Sequence, residues 1–136
     1  MAGAEFTHLH VASAYSGHFG VNRPEQLVEA VVAEGQTALA ITDRDGLYAA
    51  VKHIGACLQL GIAPIVGVDL LVLDDNGSSL GRVVVLPHAN NRGRGWAALC
   101  AIISEAHRVR SPKRAVTAIS ITELAKLVCV EGEAVA

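Results

Sequence analysis

The sequence predicts an α/β fold in which parallel strands are joined by helices. One observation is a short apolar run at residues 37–42, which ends abruptly in the charged tripeptide 43–45. An apolar run bounded by turn residues is typical of a strand buried on both faces, as in parallel sheets. The other observation is that helical patterns flank this run, at 22–34 and 47–61. Because ligands in parallel sheets bind beyond the carboxyl ends of the strands, residues 43–45 mark the first place to look for a site.

The chain before this strand is expected to form a strand and a helix. Residues 6–11 alternate in polarity and contain β-formers, which predicts a first strand. A loop rich in glycine and serine follows. Asn22 is a favourable N-cap, and Glu25 three residues later can complete a capping box. The helix is expected to run to about Glu34 and to end at Gly35.

The chain after this strand is expected to begin with a helix capped by Asp45 and to end it near Gly61. Apolar residues recur there at three- and four-residue intervals, which predicts an amphipathic helix. We expect His53 to lie at its surface or at the boundary of its buried face. The expected buried face consists of Leu47, Ala50, Val51, Ile54 and Leu58.

The second half is expected to contain one hairpin and further helices. Asn76-Gly77 is a strong signal for a tight turn between two strands. Ser120 and Glu123 have the spacing of a capping box, which predicts a short helix after Ser120. Trp96, Leu99, Cys100 and Ile103 are expected to line the apolar side of the helix before it. The expected strands are 62–66, 68–73 and 82–86, and the expected helices are 94–107 and 121–128.

Composition indicates one globular domain, residues 1–136, because 51% of the residues are hydrophobic and 18% are charged. The net charge of −2 gives no overall attraction to nucleic acid. Residues 82–114 are nevertheless basic, with seven Arg or Lys residues against one acid. Such a stretch is either a solvated surface or a phosphate-binding patch. The candidate nucleic-acid residues are Arg92, Arg94, Arg108 and Arg110.

The three cysteines are odd in number and contain no CxxC pair, so neither a disulfide framework nor a zinc knuckle is indicated. Free thiols suit a reducing compartment. No signal peptide is visible in the first residues, and no stretch has the length and apolarity of a membrane span. We therefore expect a cytoplasmic chain with no membrane partner.

Imidazole and carboxylate side chains could meet at the carboxyl ends of the predicted strands. A mixed nitrogen and oxygen set of this kind suits zinc or manganese. Two observations oppose a metal site: Asp45 is explained as a helix cap, and Arg44 would put a fixed positive charge beside any cation. A His-x-His pair on a strand is as often one buried, hydrogen-bonded histidine as a ligand pair. The residues concerned are His8, His10, Asp43, Asp45 and Asp69.

Five segments in order along the chain resemble the PHP (polymerase and histidinol phosphatase) domain. More narrowly, they resemble the amino-terminal domain of bacterial C-family DNA polymerase α subunits, especially the error-prone branch. The resemblance is specific because the segments are collinear over nearly the whole chain. They are Phe6–Ser16 (FTHLHVASAYS), Ala38–Lys52 (ALAITDRDGLYAAVK), Gly61–Leu70 (GIAPIVGVDL), Arg82–His107 and Ser120–Leu127.

The resemblance implies a distorted (β/α)7 barrel, here in part, with parallel strands, one hairpin insertion and flanking helices. Catalytic members bind two or three metal ions at the carboxyl ends of the strands and hydrolyse phosphoesters. The family's first ligand pair falls on His10 and on position 12, which is alanine here. The histidine after the second motif's aspartate is replaced by Arg44, and the third motif's glutamate by Asp69. His18 aligns loosely with a further ligand.

These departures imply a truncated, degenerate PHP module with a structural role in DNA replication or repair, including translesion synthesis. Its partners would be the remainder of a polymerase or other replication and repair proteins. The alternative is a metal-dependent phosphoesterase or 3′–5′ exonuclease, in which His10, His18 and Asp69 hold manganese or zinc with Asp43. The third hypothesis is a nucleic-acid-binding module that uses the basic stretch 82–114.

Overall fold

The computed structural model describes residues 6–88, 93–108, 116–130 and 133–134. The chain divides into two compact units, unit 1 (Met1–Gly67) and unit 2 (Val68–Ala136). In the described ranges, no helix is long and apolar enough to cross a membrane. The elements are α1 Pro24–Ala33, β1 Ala38–Ile41, α2 Ala50–Leu60, β2 Ala63–Val66, β3 Val68–Leu73, β4 Ser79–Val85, α3 Arg94–Arg108, β5 Ala118–Ser120, α4 Ile121–Val128, β6 Cys129–Val130 and β7 Glu133–Ala134.

Unit 1 is built on the parallel pair β1 and β2. Ala38 lies opposite Ala63, and Ile41 lies opposite Val66, with α2 as the connection. Three successive residues of β1, Leu39 to Ile41, are at most 2% exposed. Side chains alternate between the faces of a strand, so burial of successive residues means that both faces of β1 are covered. This confirms the fully buried strand expected from the apolar run.

The predicted first strand, residues 6–11, is not a regular strand. It accompanies β1 through two backbone hydrogen bonds, from Ala40 N to His8 O (3.0 Å) and from Thr42 N to Val11 O (2.8 Å). The two acceptors are three residues apart and the two donors are two residues apart. One extra residue therefore interrupts the even spacing that a parallel ladder requires.

The helix α1 begins one residue later than predicted. Arg23, and not Asn22, is the N-cap, and its backbone N–H donates to the Gln26 side chain at 2.9 Å. Pro24 occupies the first turn, where its missing N–H costs nothing. Gly35 follows the helix with φ 74°, so the predicted stop at this glycine is confirmed.

The helix α2 is present as predicted, but its start and its buried face differ from the prediction. Asp45 does not cap it, because the helix begins at Ala50 and Asp45 has φ 62°. Val51 and Leu58 are 84% and 68% exposed. The buried residues are Ala50, His53, Ala56 and Cys57. Small side chains let the helix approach its neighbours closely, and this packing overrides the larger apolar residues.

The core of unit 1 packs α1 and α2 against β1. It contains no aromatic residue, and Cys57 at its centre is fully buried. Its members are Val28, Val31, Leu39, Ala56, Cys57 and Ile62, with a second cluster of Ile41, Ala49, Ala50 and Val66.

Cys57 provides a chemical test of this packing. Burial raises the pKa of the Cys57 thiol, and the thiolate is the reactive form. In a Cys100→Ser/Cys129→Ser background we expect Cys57 to react with a thiol reagent only when unit 1 opens, and faster in sub-denaturing urea. Cys129, which is exposed, should react at once in the matched background. Equal rates for the two thiols would contradict the burial of Cys57.

Unit 2 contains a three-stranded sheet with the order β4-β3-β5. β3 and β4 form the predicted hairpin, with Gly77 at φ 84° in its turn. Asp74 Oδ1 accepts hydrogen bonds from Asn76 N and Ser78 N at 3.0 and 2.7 Å, which stabilises the turn. β5 lies parallel to β3 and was not predicted, because three residues are too few to show a pattern.

Of the two helices described in unit 2, α4 matches its prediction and α3 matches its prediction in part. Ser120 Oγ accepts from Glu123 N at 3.2 Å, so the predicted capping residue of α4 is confirmed. In α3, Trp96 is 45% exposed, although it was expected on the apolar side. The buried residues of α3 are Gly95, Ala98, Leu99, Ile102 and Ala106.

Candidate functional site

The carboxylate of Asp43 is the centre of a hydrogen-bonded cluster directly after β1. Asp43 is 2% exposed. The backbone N–H of Ser13 donates to Oδ1 at 2.7 Å, and its hydroxyl donates to Oδ2 at 2.8 Å. The hydroxyl of Ser16 donates to Oδ1 at 2.7 Å. Asp43 thus ties the loop of residues 12–20 to the end of the strand.

The same loop is held by contacts around Ser16. Its hydroxyl oxygen accepts from the backbone N–H of Arg44 at 2.9 Å while its proton goes to Asp43. The backbone N–H groups of Phe19 and Gly20 both donate to Ser16 O at 3.0 Å. A Cβ at Gly20 would lie 2.0 Å from Ser13 O, so only glycine allows the loop to fold back this closely.

Aromatic rings and cations surround this cluster. The Arg44 guanidinium carbon lies 3.4 Å from the centroid of the Phe19 ring. Lys52 Nζ lies 5.6 Å from the Tyr15 ring, and the hydrogen bond to Tyr15 raises the pKa of Lys52. The ring of Tyr48 lies over Gly46, where a Cβ would come within 2.5 Å of it. The loop of residues 12–20 and the segment after β1 therefore carry exposed rings, two of which have a positive charge beside them.

The residues predicted as metal ligands, or as neighbours at the carboxyl ends of the strands, fall in two different units. His8, His10 and His18 are exposed in unit 1, and His18 has φ 69°. Asp45 is half-buried in unit 1, whereas Asp69 belongs to unit 2. Among the residues that the structure describes, no three His, Cys, Asp or Glu side chains are grouped as metal ligands would be. The assignment of His10, His18 and Asp69 as a metal-site remnant stays a prediction.

Asp69 is engaged by a neighbouring arginine within unit 2. Arg82 Nε donates to Asp69 Oδ1 at 2.6 Å, and Arg82 Nη2 donates to the Asp69 backbone oxygen at 2.7 Å. The two residues lie on the paired strands β3 and β4, and the carboxylate is 9% exposed. The carboxylate is therefore part of an ion pair that links the two strands of the hairpin.

His53 is a buried polar residue, which corrects the expectation that it lies at the surface or boundary. It is 0% exposed, and its Nε2 donates to the backbone oxygen of Leu39 at 3.0 Å. The Sγ of Cys57 lies 3.7 Å from the same nitrogen. Burial lowers the pKa of His53. Its spacing from Ala50 and Cys57 is the signal that could have placed it on the buried face.

The basic stretch is only partly described. Arg92 and Arg110 lie outside the described residues. Arg108 makes two hydrogen bonds to Glu105, at 2.7 and 2.8 Å, and Arg94 is half-buried at the start of α3. Part of the positive charge of this stretch is thus matched by a carboxylate on the same helix.

The donors around Asp43 do not fit a centre of two or three metal ions. Both carboxylate oxygens of Asp43 already accept hydrogen bonds from the serines. Position 12 offers only a methyl group, and the residue after Asp43 is Arg44, whose guanidinium is a permanent cation. A metal ion would have to displace the serines and tolerate that charge.

Comparison with known proteins identifies relatives of this chain. A model of the PHP domain family matches residues 8–133. The chain is 41% identical over 109 residues to DNA polymerase III subunit alpha of Escherichia coli and 36% identical over 114 residues to error-prone DNA polymerase of Nocardia farcinica. These matches cover 79% and 81% of this chain but only 9% of each relative.

A solved structure supports the fold. An amidohydrolase from Chromobacterium violaceum matches 75% of this chain and 32% of its own chain, with a TM-score of 0.53 and 22% sequence identity. At this identity the match shows the fold alone. The mixed α/β fold with parallel strands is confirmed. The partial (β/α)7 barrel and a single domain over residues 1–136 stay predictions.

Proposed function

Because the chain belongs to the PHP domain family, we propose that it is a structural module of a DNA replication or repair polymerase, with no hydrolytic activity of its own. Its relation to DNA polymerase III alpha and to error-prone DNA polymerase supports this context. The chain matches 9% of those relatives, so copying DNA would require the rest of such a protein. The partner in this proposal is the remainder of a polymerase or another replication or repair protein, in translesion synthesis among other roles.

One observation carries the proposal: the Asp43 carboxylate serves as a structural tie. Its oxygens accept hydrogen bonds from Ser13 and Ser16 at 2.7 to 2.8 Å. Hydrogen bonds to a charged group stabilise a fold by about 1.5–3 kcal/mol each. Removing them to bind a metal ion would give up part of the stability of unit 1. In this role Asp43 holds the loop and does not bind a metal ion. It would therefore not help to provide a metal-bound water for hydrolysis.

The surroundings of the other aligned positions support the same conclusion. Ala12 has no donor atom, and the positive charge of Arg44 opposes a cation. Asp69 already pairs with Arg82 at 2.6 Å. Of the aligned positions, His10 and His18 remain exposed imidazoles. Two imidazoles leave a zinc or manganese site short of its usual ligands.

Metal content and thermal unfolding of the purified chain test the proposal. A ligand that binds only the folded chain raises the midpoint of unfolding, by an amount equivalent to about 2.7 kcal/mol at one hundred times its Kd. We expect no bound manganese or zinc, no shift of the midpoint with either ion, and no cleavage of a chromogenic phosphodiester.

The opposite result would favour the phosphoesterase or exonuclease alternative. Stoichiometric metal, together with cleavage that His10→Ala abolishes, would overturn the structural role. His88→Ala is the matched control, because His88 is an exposed histidine of unit 2. Cleavage retained equally in both variants would indicate a contaminating enzyme and would leave the structural role in place.

A further inference from the structure

All five aromatic residues of the chain are exposed. The exposed fractions are 61% for Phe6, 43% for Tyr15, 61% for Phe19, 59% for Tyr48 and 45% for Trp96. Aromatic side chains carry large apolar areas and usually dominate cores and interfaces. The core of unit 1 is aliphatic instead. Single exposed rings are ordinary, whereas exposed rings that lie close together mark a surface for interaction.

Three of these rings belong to the loops at the end of β1. Phe19 lies against Arg44, and Tyr48 lies against Gly46. Arg44 and Gly46 are two residues apart, so their Cα atoms are at most about 7 Å apart. Tyr15 lies between the serines that bind Asp43 and beside Lys52. We name Tyr15, Phe19, Tyr48, Arg44 and Lys52 the aromatic rim.

The loop that carries two of these rings is held in place before any ligand arrives. Ser13 and Ser16 bind Asp43 on either side of Tyr15, and Phe19 N donates to Ser16 O at 3.0 Å. Ordering a loop on binding costs free energy, and a loop that is already ordered avoids that cost. The aromatic rim is therefore a preorganised surface.

The aromatic rim combines flat rings with positive charge. We propose that it binds single-stranded nucleic acid, with unpaired bases stacked on the rings and phosphates beside Arg44 and Lys52. Bases of every kind have a π-face, and aromatic rings with neighbouring cations are the usual platform for a single strand. Bases also stack on the guanidinium plane of arginine, which here lies over Phe19.

The charges of the aromatic rim favour a nucleic acid over an apolar protein surface. Arg44 and Lys52 each lie beside a ring, so any partner that covers the rings also covers the cations. Covering charged groups with an apolar surface is costly, because it removes them from water. A phosphodiester chain supplies flat bases and anions together. This surface lies in unit 1 and shares no residue with the basic stretch 82–114.

The proposed site contacts few phosphates, which predicts a weak dependence on salt. Two cations would release counterions from about two phosphates. The slope of the logarithm of the binding constant against the logarithm of the salt concentration should therefore be about −1.4 for a single strand. Asp45, next to Arg44, reduces the local positive charge and the affinity. The proposal does not depend on the proposed structural role, because binding needs neither a metal nor hydrolysis.

Fluorescence anisotropy with a labelled oligonucleotide of about ten thymidines tests the proposal, in low salt and EDTA. We expect binding that Phe19→Ala and Tyr48→Ala each weaken by about tenfold, as for the loss of one stacked base. Trp96→Ala is the matched control, because it removes an exposed ring from unit 2, and it should leave the affinity unchanged.

Asp45→Asn provides a test whose expected result is a gain of affinity, which misfolding would not produce. Asparagine also tolerates the positive φ of this position, and the change removes a negative charge beside Arg44. We expect tighter binding, by about threefold to tenfold, at low salt. A strand that fails to bind would overturn the proposal and point to a protein as the ligand of the rings. Equal binding of duplex DNA with a steep salt slope would overturn it in favour of the basic stretch.

Discussion

Replacement of Asp43 by alanine is expected to lower the free energy of unfolding of unit 1 by roughly 3–5 kcal/mol. The carboxylate is buried, and it is the acceptor for both Ser13 and Ser16. Its removal leaves buried donors without an acceptor and releases the loop from the strand. Chemical denaturation followed by circular dichroism measures the loss, and the reaction rate of Cys57 reports the opening of unit 1.

Two further variants make the Asp43 experiment specific. Asp43→Asn keeps the size of the side chain but turns one acceptor into a donor that faces the serines, so an intermediate loss is expected. Glu29→Gln removes a negative charge from an exposed position on α1 and should change the stability by no more than about 0.5 kcal/mol. A loss below about 1 kcal/mol for Asp43→Ala would contradict the role of this carboxylate as the tie of the loop.

Acidification is expected to destabilise unit 1 through His53. Burial lowers the pKa of His53 in the folded chain below its ordinary value of about 6.5. Above that value the imidazole is neutral in both states, and its contribution to stability is complete. As the pH falls below it, the unfolded chain binds a proton that the folded chain excludes, so stability falls progressively toward the folded pKa. Denaturation midpoints between about pH 7.5 and pH 5 measure this loss.

The variant His53→Gln separates this effect from other sources of pH dependence. Glutamine can still donate to Leu39 O but does not titrate, so we expect a flatter profile over that range. It should also cost about 1–3 kcal/mol at neutral pH through poorer packing and a weaker hydrogen bond. His88→Gln, at an exposed position, should leave the profile unchanged. If the profiles of the native chain and His53→Gln coincide, another group is responsible.

The helix α2 shows that the spacing of apolar residues predicts a helix but not which of its faces is buried. The three- and four-residue spacing correctly predicts a helix that ends at Gly61, where φ is 75°. The larger apolar residues Val51 and Leu58 nevertheless point to solvent. Spacing defines a stripe on a helix, but the neighbour that covers it decides which stripe is buried. Here β1 and α1 accept the small residues of the opposite stripe.

In the candidate site, too, one part could be predicted from the sequence and another could not. The position of Asp43 after a buried strand identifies it as a site candidate from the sequence, and β1 does end at Ile41, two residues before it. Nothing in the spacing of Ser13 and Ser16, some 30 and 27 residues away, indicates that they bind it. Hydrogen bonds over such separations depend on the return path of the loop, which local patterns do not encode.

The sequence by itself determined the α/β class, the buried strand β1, the hairpin at Asn76-Gly77 and the membership of the PHP domain family. These features depend on local patterns and collinear motifs. Only the tertiary structure decided that Asp43 is bound by serines, that His53 is buried and that the aromatic rings lie outside. Each of these depends on which distant side chains meet, because burial and hydrogen bonding are properties of the packed chain.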